Sequence, residues 1–289
     1  MTWFIERYRN SRLVKWTTNS TFLAVVIHIL IMEVPSWLHR APANERSFVT
    51  QRAEFRCESL PEGSHVCLDG DSEIRVRFNG STRNIEVLRG KVSFVVQNDT
   101  KPFDVWAARV LLHDLSTGFV VSRQQPNLTR VTVTEGRVRI VAPADTDLRS
   151  QFERGEVENA WKSAPELQKF DQMEYDEIGR QWHALPQLTA RQLSSLLAFE
   201  VGRIDLHDRT LAESLKELAR YQDPPIFKCS AATGDTRLDG EFLFNDLDGL
   251  LAALKFQYHI HHATSGSGST KVITLTRPSD KAGEIQPRC

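Results

Sequence analysis

One apolar run near the N-terminus constrains this chain more than any other feature. Thr21 to Leu38 reads TFLAVVIHILIMEVPSWL, and its heart, Phe22 to Met32, carries His28 as its one polar residue before Glu33 and Pro35 follow. A helix of that length spans about 27 Å at ~1.5 Å per residue, just short of the roughly 30 Å of bilayer hydrocarbon. Trp37 stands at its far end, where an aromatic ring suits the membrane interface. Before the run, Arg7, Arg9, Arg12 and Lys15 outnumber Glu6 by three, whereas over residues 39–60 the basic excess is one. The positive-inside rule then predicts a single membrane helix, with the N-terminus in the cytoplasm and the bulk outside. A cleaved signal peptide and a buried core helix are the competing readings. No A-x-A-like cleavage site follows the run, because Glu33-Val34-Pro35-Ser36-Trp37 is a poor one.

Composition narrows the function classes. With 40% hydrophobic and 25% charged residues, the 289-residue chain is neither disordered nor a polytopic membrane protein. A formal net charge of −1 leaves no basic excess to hold nucleic acid through its phosphates. The length suits two modest domains.

Of the four cysteines, Cys57 and Cys67 flank Leu60-Pro61-Glu62-Gly63-Ser64, which has turn chemistry. A three-residue turn at 61–63 would set them opposite each other on paired strands, favouring a disulfide in an oxidising compartment; two reduced core cysteines are the alternative. Cys229 and Cys289 have no obvious partners.

Downstream of the run, the spacing predicts two modules. Over 47–143, short strands with period-two alternation recur every eight to twelve residues, as in Ile74-Arg75-Val76-Arg77-Phe78 closed by Asn79-Gly80. Arg75, Arg77, Arg137 and Arg139 then form a solvated outer face. Residues 144–198 lose that alternation and carry ten acids against four bases between 145 and 178, which reads as an acidic connector. From 199 to 276 the pattern is β-α-β-β-α-β with an extra strand. Phe199 to Leu206 alternates as a strand, Thr210 and Glu213 make a capping box, and Asp246 caps a second helix. Gln257 to His262 and Lys271 to Thr276 read as strands joined by a Ser/Gly loop, with a flexible tail at 277–289. The fold class is therefore α+β, an all-β twisted module of solenoid- or sandwich-like form followed by a small mixed module.

No catalytic constellation emerges: the chain lacks a Gly-rich phosphate loop, G-x-S-x-G, H-E-x-x-H and C-x-x-C. His259 and His261 would share a strand face, but no carboxylate or cysteine is placed to complete a metal shell. His207-Asp208 reads as turn chemistry. Asn79, Asn98 and Asn127 open sequon matches too short to weigh. The sequence therefore points to no enzyme, no cofactor and no metal.

The order of motifs resembles one family. Leu60-Pro61-Glu62-Gly63-Ser64-His65-Val66 is similar to its L-x-D-G-S-x-V hairpin, and Glu86 to Val96, EVLRGKVSFVV, to its E-L-x-R-G-E-A-x-F-x-V segment. Lys101 to Val105 resembles R-P-F-x-V, Val131 to Val138 matches V-x-V-x-E-G-x-V, and Phe199 to Leu206 looks like W-x-x-G-x-L-x-F with Phe199 in place of Trp. These are marks of FecR-family proteins, single-pass regulators of cell-surface signalling. The resemblance implies an inner-membrane protein with an N-terminal cytoplasmic anti-sigma domain, one membrane helix and a periplasmic bulk; on this chain the cytoplasmic tail is residues 1–20 and the helix 21–38. Its C-terminal module would resemble the secretin and TonB short N-terminal domain. That module would meet the signalling domain of a TonB-dependent receptor in iron-uptake signalling, with an extracytoplasmic-function sigma factor as the further partner. The pattern departs from the family at the N-terminus, where about twenty residues precede the run and the family carries a helical domain of several tens. A second departure concerns the self-cleavage described for several members at L-G-T-x-F. The corresponding stretch here is Leu115-Ser116-Thr117-Gly118-Phe119. Thr117 would supply the attacking hydroxyl, and Ser116 replaces the glycine.

Overall fold

The computed structural model describes residues 45–79, 81–114, 118–142, 148–153, 157–221, 226–267, 271–281, 285–286 and 289. The expected membrane run at 21–38 and the tail before it lie outside the described residues. So do Ser116 and Thr117. Among the described residues, no helix is long and apolar enough to cross a membrane.

Alternating side chains build the first module. In β4 (Glu73–Phe78), Ile74 and Val76 turn inward while Arg75 and Arg77 turn out, the period expected of a half-buried strand. The organising strand is β5 (Arg83–Val95), thirteen residues long. Its first half pairs with β4 and, in parallel, with β6 (Phe103–Ala107). Its second half pairs with β3 (His65–Leu68) and β8 (Gly118–Arg123). The change of partners falls at Gly90, whose φ of +87° few side chains tolerate and where a Cβ would lie 2.5 Å from the Cα of Ser72. Around this bent strand a curled sheet runs in the order β11 (Glu166–Gln168), β10 (Arg137–Val141), β7 (Val110–Asp114), β6, β5, β8, β9 (Leu128–Glu135), β12 (Gln172–Asp176) and β13 (Gln181–Leu185), with β1 (Glu45–Val49), β2 (Arg56–Ser59), β3 and β4 as side branches. Inward residues of both halves share one core, in which Phe94 stacks on Phe119 at 4.9 Å and meets Phe103 edge-on at 6.2 Å.

The acidic stretch expected to act as a connector belongs to this module instead. Glu166–Gln168 (β11) pairs with β10 (Arg137–Val141), and Gln172–Asp176 (β12) with β9 (Leu128–Glu135); Gln181–Leu185 (β13) closes a hairpin with β12. Two short helices, α1 (Leu148–Glu153) and α2 (Glu158–Ser163), lay Phe152, Val157 and Trp161 over Trp106 and Leu111 on the outer face of β6 and β7 (Val110–Asp114). That cover is why β6 is buried on both faces. The acids alternate with these anchors and pair with bases across the sheet. Glu166 holds Arg137 at 2.8 Å and Arg139 at 3.4 Å, and Glu174 holds Arg130 at 2.7 Å. Alternation faded in the sequence because the helices contribute single apolar residues and the strands are short.

The second module begins with α3 (Ala190–Leu197), capped reciprocally by Thr189 and Gln192. Where the alternation of Phe199 to Leu206 predicts one strand, the chain makes a 3-10 turn at Ala198–Val201 and only then the strand β14 (Arg203–Asp205). Gly202 sits between them at φ +70°, and a Cβ there would meet the ring of Phe55 at 2.8 Å. Thr210 and Glu213 cap α4 (Leu211–Leu218) reciprocally, and the Asp246 carboxylate accepts from the Gly249 N–H at the start of α6 (Leu247–Tyr258). Between them lie β15 (Ile226–Lys228), the single turn α5 (Ala231–Gly234) and β16 (Glu241–Leu243), the last antiparallel to β14. The strand expected at Gln257 to His262 is displaced: α6 runs on to Tyr258, His259 caps it at φ +56°, and β17 spans His261–Ser265. The apolar face runs through Leu250, Leu251 and Leu254, and the helix ends only when Ile260 N–H turns back to Leu254 O at 2.9 Å. β18 (Val272–Thr276) lies between β17 and β15, antiparallel to the first and parallel to the second.

Candidate interaction surface

Two features of the second module stand out, an open strand edge and a charged joint with the first module. The three-stranded sheet has two edges. Along β15 the C-terminal residues fill the edge, with Cys289 N–H donating to Phe227 O at 3.1 Å and Gln286 N–H to Cys229 O at 2.9 Å. Cys229 and Cys289 are joined as a disulfide, a pairing the sequence did not suggest. The opposite edge is β17, which pairs with β18 alone among the described residues and whose five residues, His261 to Ser265, are all exposed. Its outer backbone groups are a template for a further strand. On α6, Phe256 is 75% exposed, the kind of large apolar side chain that single surface sites and interfaces both show.

The joint is built on Asp69, whose side chain is fully buried. Its Oδ1 accepts from Gly70 N–H at 2.9 Å. Its Oδ2 faces Lys91 Nζ at 2.9 Å, Tyr221 OH at 3.1 Å, Gln124 Nε2 at 3.2 Å and Arg220 Nη2 at 3.4 Å. Lys91 in turn lies 4.3 Å from the centre of the Phe199 ring. A carboxylate removed from water needs this many donors, because a lone buried charge is costly. Burial beside Asp69 pushes the Tyr221 phenol well above its ordinary value, so it stays a donor. Aromatic packing continues the joint: Tyr221 stacks on Phe244 at 4.9 Å, and Phe55 meets Phe244 edge-on at 5.6 Å. Sequence reasoning missed the joint. The one local signal was Lys91 within the strand run Gly90 to Val95, since a lysine in a strand that is buried on both faces needs a partner.

Cys57 and Cys67 are opposite each other on β2 (Arg56–Ser59) and β3, joined as a disulfide with Cα atoms 4.0 Å apart. Leu60 N–H bonds Ser64 O at 2.7 Å across the turn. Counting pairs back from there makes the cysteines a non-hydrogen-bonded pair, where Cβ atoms come closest. The Cys57 sulfur also lies 3.6 Å from Glu200 O of the second module.

The histidines do not come together as a site. His259 caps a helix, His261 and His262 are exposed on β17, and no group of metal-ligating residues forms among the described residues. The two ring nitrogens of His207 face the carboxylates of Asp205 and, at 3.0 Å, Asp239. Burial raises the Asp205 carboxyl, but the His207 backbone N–H, its ring and the Ser195 hydroxyl outweigh that and hold it below the usual carboxylate range. Asn79 is engaged in its own turn, accepting from the N–H groups of Ser81 and Thr82.

Residues 46–139 match the family model described as FecR protein, which covers β1 to most of β10. The chain carries a FecR domain. Two crystal structures of a proposed anti-sigma factor from Parabacteroides distasonis ATCC 8503, at 2.50 and 1.65 Å, share the fold. Each is 20% identical and covers 81% of this chain and all of its own, with TM-scores of 0.53 and 0.54. The likeness thus extends beyond the FecR domain into the second module. No curated protein matches the chain.

Proposed function

We propose that this FecR-domain protein is a non-enzymatic anti-sigma regulator, anchored in the inner membrane by residues 21–38. Its N-terminus faces the cytoplasm and its two modules face the periplasm. The second module receives the signalling domain of a TonB-dependent receptor by adding it as a strand at β17, and the signal passes to an extracytoplasmic-function sigma factor. The observation that carries the reading is the FecR domain at 46–139, followed by a module whose strand edge stands open. The charge asymmetry around the apolar run supports the topology.

Deleting the gene tests the regulatory step. Transcription dependent on one such sigma factor should shift several-fold, and an unchanged transcript profile overturns the role. Topology is tested by a periplasmic reporter fused after residue 50, which should be active, while the same fusion active only in a cytoplasmic format refutes the orientation.

A further inference from the structure

Between the modules lies a cleft of about 190 Å³. One wall is the outer face of β5, β8 and β9, with Lys91, Gln124 and Arg130; the other carries Arg203, Arg209 and Arg220. Phe199 and Tyr221 also line it. Its two lining carboxylates are already occupied. Asp205 accepts from His207 and Ser195, and Glu217 holds Arg220 at 2.7 Å. The unused capacity is on the donor side. Arg130 spends Nε and Nη2 on Glu174, and Arg203 spends Nη1 on Glu241. Arg209 makes no side-chain hydrogen bond among the described residues, although its charge is felt by Glu213. A guanidinium offers five donors in a planar fork suited to carboxylate or phosphate oxygens.

We propose that this cleft binds a small dianion, a phosphate or a short dicarboxylate, held by Arg209 with the spare N–H groups of Arg130 and Arg203. The volume is below the roughly 300 to 1,000 Å³ of pockets for drug-sized ligands, which excludes larger molecules. Because its walls come from both modules, an occupant would tie them together and stabilise the joint by mass action. The inference stands independently of the proposed receptor and sigma factor.

The test is a thermal-unfolding titration of the detergent-solubilised full chain with inorganic phosphate and, in parallel, with succinate. Sodium chloride at matched ionic strength is the control. A saturable rise in Tm with one of the two dianions, absent with chloride, is expected, and the Arg209→Gln variant should need at least tenfold more ligand for half the shift. The Lys101→Gln variant, on a different basic surface, should titrate as the parent does. Arg209→Gln leaves the backbone bonds of that turn in place, and its unliganded Tm, close to the parent's, checks that it folds. Equal shifts with chloride, no saturable shift, or unchanged titration in Arg209→Gln would each overturn the proposal.

Discussion

The fate of single side chains here depends on partners far away in sequence. Asp69 is the clearest case, since Arg220 and Tyr221 reach it from about 150 positions on. Replacing it by Ala strands Lys91 beside a cavity without its anion and leaves Arg220 to Glu217 alone, and breaking a buried ion pair in this way costs about 3 to 5 kcal/mol. Urea unfolding of Asp69→Ala should show that loss, and adding Lys91→Met should recover part of it; an unchanged midpoint would remove the joint from the account. Asp205 supplies a pH signature. Its carboxyl is held below its ordinary value in the folded protein, so its contribution to stability is present above about pH 4 and is lost as pH falls through the native value. The stability gap between the parent and Asp205→Asn should therefore narrow below pH 4, and a gap independent of pH would contradict the assignment. Local chemistry was legible at this scale, including the Thr210–Glu213 cap and the register of Cys57 with Cys67, because each depends on neighbours within ten residues. Asp69 was not, because its sequence context, Leu68-Asp69-Gly70-Asp71, reads as an ordinary turn.

At the scale of elements, β5 decides the shape of the FecR domain. Its bend at Gly90 lets one strand serve two halves of the sheet, and a Cβ there would collide with Ser72, itself buried and bonded to Lys91. Gly90→Ala should cost at least about 1 to 3 kcal/mol through strain at a left-handed position. A full-length variant with parental stability would show that the bend tolerates a side chain. The β2–β3 hairpin is pinned by Cys57–Cys67, and serine replacement of both should lose about 2 to 3 kcal/mol, the scale for a short closed loop. Thiol labelling of protein purified without reductant should find neither sulfur free. The alternating strands of the FecR domain were readable from period two alone, whereas β11 to β13 and the two helices over Trp106 were not. Those pieces are short and acidic on their solvent side, and their placement is set by anchors such as Phe152 and Trp161 finding a face of the sheet. The extension of α6 to Tyr258 is a related case: the local histidines suggested a strand, and the unbroken helix before them prevailed.

The described molecule is two modules joined through buried charge and aromatic packing, with one sheet edge filled by its own C-terminal residues and the other left open. That asymmetry gives the receptor hypothesis a place to act. A proline in β17 removes a backbone donor and stiffens φ, so Thr264→Pro should weaken strand addition at this edge. The most direct measurement is binding of the detergent-solubilised full chain to each TonB-dependent receptor signalling domain from the same genome. One domain should bind, with Thr264→Pro weakening it at least tenfold and Asp205→Asn leaving it unchanged. No binding to any of them, or equal binding by the proline variant, would contradict the reading of β17 as the docking edge.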